Sequence, residues 1–143
     1  QSITNTPTNT PNPTLDPGIA FTVTFTSHYS CQEIEFLNYL VENTGSLPLE
    51  YSKVIIIDLA EPEEITNSFT DAPFQTLPDG CANDLGSIPP GSSAYLPVPI
   101  IESEYAPPPY PGEHQGTFTF CSEDYLLYER GVCASAEVLF VIP

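Results

Sequence analysis

The chain has 143 residues, enough for one domain with its own hydrophobic core, and its 17 prolines argue against a helical protein. Its 19 Asp and Glu residues stand against only Lys53 and Arg130, which gives a formal net charge of −17 at pH 7. Nucleic acid and anionic membranes repel such a surface, and no apolar run is long enough to cross a bilayer. We therefore expect no nucleic-acid partner and no membrane span.

Residues 1–18 are a low-complexity segment rich in Thr and Pro, termed the arm, in which Asn-Thr-Pro occurs twice. This composition does not build a core and favours extended, polyproline-like backbone. Clustered Thr beside Pro also resembles O-glycosylated stalks, so a glycan on the arm is a further expectation. We divide the chain into this arm and a β-sandwich domain at 19–143.

The first predicted strand spans residues 19–26 and alternates strictly between apolar and small or polar residues. This period of two is typical of a strand with one buried face. The apolar face carries four large side chains: Ile19, Phe21, Val23 and Phe25.

Two further strands, 33–42 and 51–59, flank the turn Asn43-Thr-Gly-Ser46, and this pattern indicates a reversal of the chain. The adjacent apolar pair Phe36-Leu37 breaks the alternation and predicts a β-bulge there. The run 55–57 is Ile-Ile-Ile, apolar in both phases, so the third strand is expected to be central in its sheet or to meet a partner.

The middle of the chain is less regular. Residues 65–80 are predicted to be irregular, with Phe69, Phe74 and Leu77 as anchors in the core. Residues 93–101 are predicted to be a strand whose inward face is Ala94, Leu96, Val98 and Ile100. Its other face carries Pro97 and Pro99, and proline cannot donate to a ladder, so this strand is expected to lie at an edge or to be only partly paired.

The last predicted strands are 115–121, with Phe118 and Phe120 inward, and 134–142, with a helical turn expected at 122–128 between them. The outer face of the final strand carries Leu139 and Val141, which a solvated edge would not favour. About seven short strands with frequent turn signals predict an all-β fold, an antiparallel β-sandwich.

The four cysteines are an even number without CxxC spacing, which argues against zinc ribbons and redox motifs. Two disulfides in an oxidising, extracellular location fit this pattern best. The favoured pairing is Cys121–Cys133, which closes a hairpin, with Cys31–Cys81; the alternative is Cys31–Cys121. Because the chain begins with Gln1 rather than Met, we expect a processed product or an excised fragment.

No residue pattern points to catalysis, and we expect neither enzyme activity nor a cofactor. His28 and His114 lack a nucleophile motif and are interpreted as surface residues. The segment Asp79-Gly-Cys-Ala-Asn-Asp84 is interpreted as a polar turn, and the alternative is a Ca²⁺-binding loop. A further alternative is a sugar-stacking platform formed by Tyr95, Tyr105, Tyr110, Tyr125 and Tyr128.

Several short motifs together resemble the immunoglobulin-like repeat domains of bacterial and archaeal cell-surface proteins. They are the run 36–58 with Val41-Glu-Asn-Thr-Gly-Ser46, then Ser87-Ile-Pro-Pro-Gly91, then the Cys121…Cys133 hairpin, all after a Thr/Pro-rich segment. The resemblance covers about residues 19–142 and implies a β-sandwich used as a spacer, stalk, adhesin or fibre subunit. It brings no catalytic residues.

The resulting expectation is an extracellular structural protein that assembles into a surface fibre or pilus-like filament through its arm and its sheet edges. The strand at 19–26 is the one most suited to donation, and the arm is expected to run along a groove of a neighbour. The predicted assembly residues are Ile3, Ile19, Phe21, Val23, Phe25, Leu139 and Val141. The alternative is an adhesin or carbohydrate-binding module presented on a stalk.

Overall fold

A computed structural model of the chain describes residues 18–60, 64–70, 74–81, 84–100, 111–123 and 130–143. These residues form two antiparallel sheets with no helix among them, which confirms the all-β prediction. Nothing in these ranges is a helix long and apolar enough to cross a membrane. The strands are β1 (Phe21–Cys31), β2 (Ile34–Asn43), β3 (Tyr51–Asp58), β4 (Glu64–Thr70), β5 (Ser93–Ile100), β6 (Gly112–Glu123) and β7 (Arg130–Ile142). Their orders are β1-β2-β5 in one sheet and β4-β3-β6-β7 in the other.

The core lies between the two sheets because each strand turns its apolar phase toward the other sheet. The ring of Tyr39 in β2 meets Phe118 and Phe140 edge to face, at centroid distances of 4.7 and 5.4 Å. Near the start of β1, Phe21 meets Phe120 in the same way at 4.6 Å. Edge-to-face contacts place the positive rim of one ring on the negative face of another, so these aromatic pairs stabilise the sandwich beyond their buried area.

The predicted bulge in β2 is wrong, and the irregularity lies in β1 instead. Phe36 and Leu37 pair in unbroken register with β1, whereas β1 carries its extra residue at Thr26, between Phe25 and Ser27. Leu37 faces the core and Phe36 faces outward beneath a covering loop described below. The two adjacent apolar residues therefore reflect a strand that is covered on both faces.

β1 and β2 are joined by a two-residue turn at Gln32 and Glu33. Both residues have positive φ, 50° and 68°, as a type I′ hairpin turn requires. This turn sets Cys31 opposite Ile34 at the end of the sheet.

The predicted positions of β3 and β5 are confirmed. β3 lies between β4 and β6, and its Ile56 is buried while Ile55 and Ile57 face outward, half-buried. β5 is an edge strand that pairs with β2 in its sheet. Among the described residues its outer edge forms only an isolated bridge, with Gln75, as expected for a strand that contains Pro97 and Pro99.

The prediction for residues 65–80 needs correction. Residues 64–70 form β4, paired with β3, rather than an irregular segment. Phe74 is fully buried, as predicted, but Leu77 is 65% exposed and is not a core anchor. The side chain of Phe69 lies outside the described part of the structure.

The helical turn predicted at 122–128 is not seen where the structure describes that range. Ser122 and Glu123 continue β6 in extended conformation, and residues 124–129 lie outside the described ranges. Beyond them β7 begins at Arg130, so β6 and β7 form a long hairpin.

The strands run back and forth between two ends of the sandwich. At one end, termed the Gly18 end, the Gly18 carbonyl accepts backbone hydrogen bonds from Ser46 and Leu47. At the other, termed the Ile34 end, lie the β1–β2 turn and the last residues of β5 and β7. The arm therefore enters the domain at one end, and the chain finishes β7 at the other.

The structure contains both disulfides in the pairing favoured from the sequence. Cys31 joins Cys81 with a Cα–Cα distance of 5.7 Å, and Cys121 joins Cys133 with a Cα–Cα distance of 4.1 Å. The second bond links directly opposed residues of β6 and β7. The first links the end of β1 to a loop some 50 residues later.

Candidate functional site

A loop of residues 74–81, termed the strap, crosses the outer face of the β1-β2-β5 sheet. On one side Gln75 and Tyr95 exchange two backbone hydrogen bonds of 2.9 Å, so the strap is bonded to the edge of β5. On the other side the Cys31–Cys81 disulfide ties it to the end of β1. The strap is therefore fixed at both margins of the sheet.

Polar side chains beneath the strap bind its backbone. The Tyr29 hydroxyl donates to the Gly80 carbonyl at 2.9 Å, and the Gln75 side-chain amide donates to the Tyr29 oxygen at 3.2 Å. The Asn38 amide donates to the Pro78 carbonyl. Both Asn38 and Gln75 are buried: the Asn38 amide supplies a partner to a strap carbonyl that water no longer reaches, and the Gln75 amide ties the strap to Tyr29. Partial burial also raises the pKa of Tyr29, which keeps its hydroxyl in the donating form.

The carboxylate of Asp84, which follows the strap in the sequence, holds the strap at Thr76. It accepts hydrogen bonds from the Thr76 amide at 2.8 Å and the Thr76 hydroxyl at 2.6 Å, and these bonds lower its pKa. Asp79 instead accepts from the Ser27 hydroxyl at 3.3 Å. In the described ranges no cluster of three acidic, His or Cys side chains could hold a metal, and Asn83 lies outside them. The Ca²⁺ alternative stays a prediction.

A groove of about 360 Å³ opens between the strap and the Ile34 end of the same sheet. Ile34 at its mouth is 45% exposed. Phe36 lies beneath and stacks on Tyr29 at a centroid distance of 5.4 Å and an interplanar angle of 20°. β5 adds Pro97 and Pro99, and the strap adds Gln75, Gly80 and Cys81. The groove is a mainly apolar channel with aromatic and proline walls.

One polar atom at the groove wall is unpaired. The Gln75 side-chain oxygen is buried and has no hydrogen-bond partner among the described residues, although its amide nitrogen is bonded to Tyr29. A buried acceptor without a donor is costly, and such atoms are rare in folded proteins. Gln75 lines the groove, and its unpaired oxygen lies within the wall, closed to solvent.

The outer face of the four-stranded sheet carries a second apolar surface, termed the outer patch and made of Ile57, Leu59, Leu139 and Val141. Ile57 and Leu139 lie on either side of Gln115 in one row across the sheet. Val141 pairs with Glu113 in the next row, where the Leu59 amide donates to the Glu113 carbonyl at 3.1 Å. Leu59 is 40% and Leu139 39% exposed.

The predicted assembly residues fall into three groups. Leu139 and Val141 lie on the outer patch, and Ile3 lies outside the described residues. Ile19, Phe21 and Val23 are buried in the core of their own chain, and half-buried Phe25 stacks on Phe140 at 5.0 Å. These four could serve a neighbouring molecule only if β1 left its sheet.

The prediction that both histidines are surface residues is wrong for His114. Its ring is fully buried, stacks on Phe140 at 5.6 Å, and has Nδ1 2.9 Å from the Gly112 carbonyl oxygen. His28 is partly exposed, with Nε2 3.1 Å from a Glu35 carboxylate oxygen. Neither arrangement contains a nucleophile.

The predicted sugar-stacking platform falls largely outside the described residues. Only Tyr95 is described, and it lies half-buried on the outer side of β5, where its backbone bonds the strap. The carbohydrate-binding alternative therefore stays a prediction.

Comparison with known proteins gives no family for this chain. No protein-family model matches it, and no curated protein matches it. Among solved structures, the chain is similar to one described as the X-ray structure of Northeast Structural Genomics Consortium target SoR45. That similarity has 18% sequence identity and a TM-score of 0.40, and it covers 85% of this chain and 82% of the other.

Proposed function

We propose that this chain is an extracellular structural protein, an immunoglobulin-like β-sandwich subunit that joins further copies in a surface fibre or pilus-like filament. The outer patch is the observation that carries the proposal. Ile57, Leu59, Leu139 and Val141 place apolar side chains on the accessible face of a sheet. In a chain of net charge −17, two copies repel one another over most of their surface, and this mainly apolar patch, which includes the exposed Glu113 beside Val141, is where contact costs less.

The strand orders support the immunoglobulin-like part of the proposal. In a seven-stranded immunoglobulin constant-type domain, the first, second, fifth and fourth strands form one sheet, and the third, sixth and seventh form the other. Here the orders are β1-β2-β5 and β4-β3-β6-β7. The two arrangements differ by the transfer of β4 from the edge of β5 to the edge of β3.

The edge of β7 supports assembly by strand addition. β7 spans Arg130–Ile142, 13 residues, and pairs on one side with β6, while no described strand pairs with its other side. A long edge strand with apolar outward residues is a template for another strand. A contact of this kind that repeats head to tail need not close, and it then builds a filament.

The disulfides support the extracellular part of the proposal. Both described pairs, Cys31–Cys81 and Cys121–Cys133, are oxidised. Disulfides persist in oxidising compartments and are rare where thiols are kept reduced. Intact-mass analysis of native material, with and without reductant, tests this part directly.

The assembly proposal is tested with the full chain by light scattering and negative-stain microscopy over a range of concentrations. We expect concentration-dependent polymers, weakened at least about tenfold by Leu139→Glu because a charge is then buried at the contact. Leu77→Glu is the matched control, since Leu77 is exposed and lies on the other sheet, outside the patch. A monomer at every concentration, or equal loss in both variants, would contradict the proposal.

A further inference from the structure

We propose that the groove beside the strap receives the arm, residues 1–17, of a second copy of this chain. The inference rests on the proposed structural role and deepens it, because it assigns the receptor site for the predicted connector. Four observations support it: the chemistry of the walls, the charge of both surfaces, the unpaired acceptor, and the positions of arm and groove on the domain.

The walls of the groove match a proline-rich segment. Extended polyproline-type peptides bind in shallow grooves lined by aromatic rings, because their backbone is already extended and loses little entropy on binding. Phe36, stacked on Tyr29, lies beneath the groove, and Pro97 and Pro99 form its β5 wall. The arm carries four prolines, at positions 7, 11, 13 and 17.

The charges of the two surfaces also match. None of the described residues that line the groove carries an ionisable side chain, since Cys81 is in a disulfide. Residues 1–17 carry one charged side chain, Asp16, in a chain whose net charge is −17. This acidic surface therefore repels the arm only weakly, and the described lining of the groove can take the arm without burying a carboxylate of its own.

The arm brings the donors that the groove wall lacks. The Gln75 side-chain oxygen is buried there without a partner among the described residues. Residues 1–17 contain Thr hydroxyls, Asn side-chain amides and backbone amides between the prolines. Because the oxygen is closed to solvent, a donor from a bound arm would reach it only after a shift of the Gln75 side chain, and an apolar ligand would bring no donor at all.

The positions of arm and groove favour a contact between two molecules. The arm joins the domain at the Gly18 end, whereas the groove opens at the Ile34 end. Within one molecule the strap lies between the attachment point of the arm and the groove. The strap contacts Ser27 and Asn38, and on the outer face these two residues lie between the Gly18 end and the groove. Seventeen residues in polyproline conformation reach roughly 50 Å, enough to enter the groove of a copy stacked end to end.

Photo-cross-linking of the full chain identifies the occupant of the groove. A photoreactive phenylalanine analogue replaces Ile34, and equal amounts of ¹⁴N-labelled and ¹⁵N-labelled chain are mixed before illumination. We expect cross-links from position 34 to residues 1–17, with about half of the linked pairs carrying one light and one heavy peptide, as random pairing requires for a contact between molecules. Placement of the same analogue at Leu77, outside the groove, is the control and should not capture the arm.

The outcomes separate this inference from the function on which it rests. Cross-links only between peptides of the same isotope would mean that the arm folds back on its own domain, and would overturn the inference. Links from position 34 to other segments, or none, in a chain that still polymerises would also overturn it and leave the structural role standing. A chain that never self-associates would overturn both.

A charge placed in the groove gives a second, independent reading. Ile34→Glu sets a carboxylate at the groove mouth, where side-chain exposure leaves the fold intact, and should weaken self-association at least about tenfold. Leu77→Glu leaves the groove unchanged and should keep self-association within about twofold of that of the unaltered chain. Thermal unfolding verifies that both variants are folded. Equal self-association of Ile34→Glu and the unaltered chain would contradict the inference.

Discussion

Asp84 shows how one exposed carboxylate can order a covering loop. Its two hydrogen bonds from Thr76 favour the ionised form and lower its pKa from the ordinary value of 3.8. A carboxyl group of this kind stabilises the fold above its unfolded pKa. That contribution is lost as pH falls through the lower folded value.

We therefore expect the strap to loosen in acid, below about pH 4, before the sandwich unfolds. The measurement is the protection factor of the Thr76 amide in hydrogen exchange, taken relative to the intrinsic rate at each pH, and this factor should fall in that range. Asp84→Asn should abolish the acid dependence, because an amide does not titrate, whereas Asp79→Asn in the same strap should preserve it. An unchanged protection factor at Thr76 down to pH 2 would count against this role for Asp84.

Asn38, Tyr29 and Gln75 form the other residue-scale feature of the site. Each is a polar side chain on the outer face of its strand or in the loop above it, and alternation alone assigns such residues to solvent. The strap removes them from solvent, and the bonds of Tyr29 to Gly80 and of Asn38 to Pro78 compensate in part for the lost water, whereas the side-chain oxygens of Asn38 and Gln75 have no partner among the described residues. These polar side chains are buried because the strap covers them.

At the scale of elements, the two disulfides constrain the chain to different degrees. Cys121 and Cys133 are 12 residues apart in a hairpin that the β6–β7 ladder already closes. Cys31 and Cys81 are 50 residues apart and join a strand to the strap. The longer loop loses more conformational entropy in the unfolded chain when it is closed.

Removal of the Cys31–Cys81 bond by double substitution to Ala should therefore lower the free energy of unfolding by about 4 kcal/mol, against about 3 kcal/mol for Cys121–Cys133. Denaturant titration of both double variants measures the two values. The first variant should also lose cross-linking at the groove, since the strap is then tied at one margin only. A larger loss for the hairpin bond would contradict this ranking.

At the scale of the whole molecule, net charge and apolar surface act in opposite directions. A charge of −17 keeps copies apart, while the groove and the outer patch offer mainly apolar contact. Screening weakens repulsion between surface charges once ionic strength brings the Debye length to about 8 Å, near 0.15 M salt. Apolar contact is not weakened in this way.

Self-association should therefore strengthen as NaCl rises from about 0.01 to 0.5 M, across the range in which the Debye length shortens severalfold. Light scattering of the full chain at fixed protein concentration measures it, and a neutral osmolyte of matched osmolality is the control. Polymers that dissolve with added salt would show that ion pairs, rather than apolar surfaces, hold the copies together.

Much of the sandwich could be predicted because its determinants are local. Strict alternation in 19–26 places the inward face of the first part of β1, and Ile55-Ile56-Ile57 indicates a strand with neighbours on both sides. Pro97 and Pro99 indicate an edge, since proline lacks the donor that a central strand needs. These signals need no knowledge of distant residues.

The sequence alone determined the all-β fold, the central position of β3 and the edge position of β5, since period, β-branching and missing donors are properties of neighbouring residues. Only the tertiary structure decided the groove, the burial of His114 and the bulge at Thr26. Each depends on which segment of the chain packs over which strand. The strap, for example, covers Phe36 although it lies about 40 residues later in the sequence. Such covering is a long-range event, and the residues beneath it look no different in sequence from those that face water.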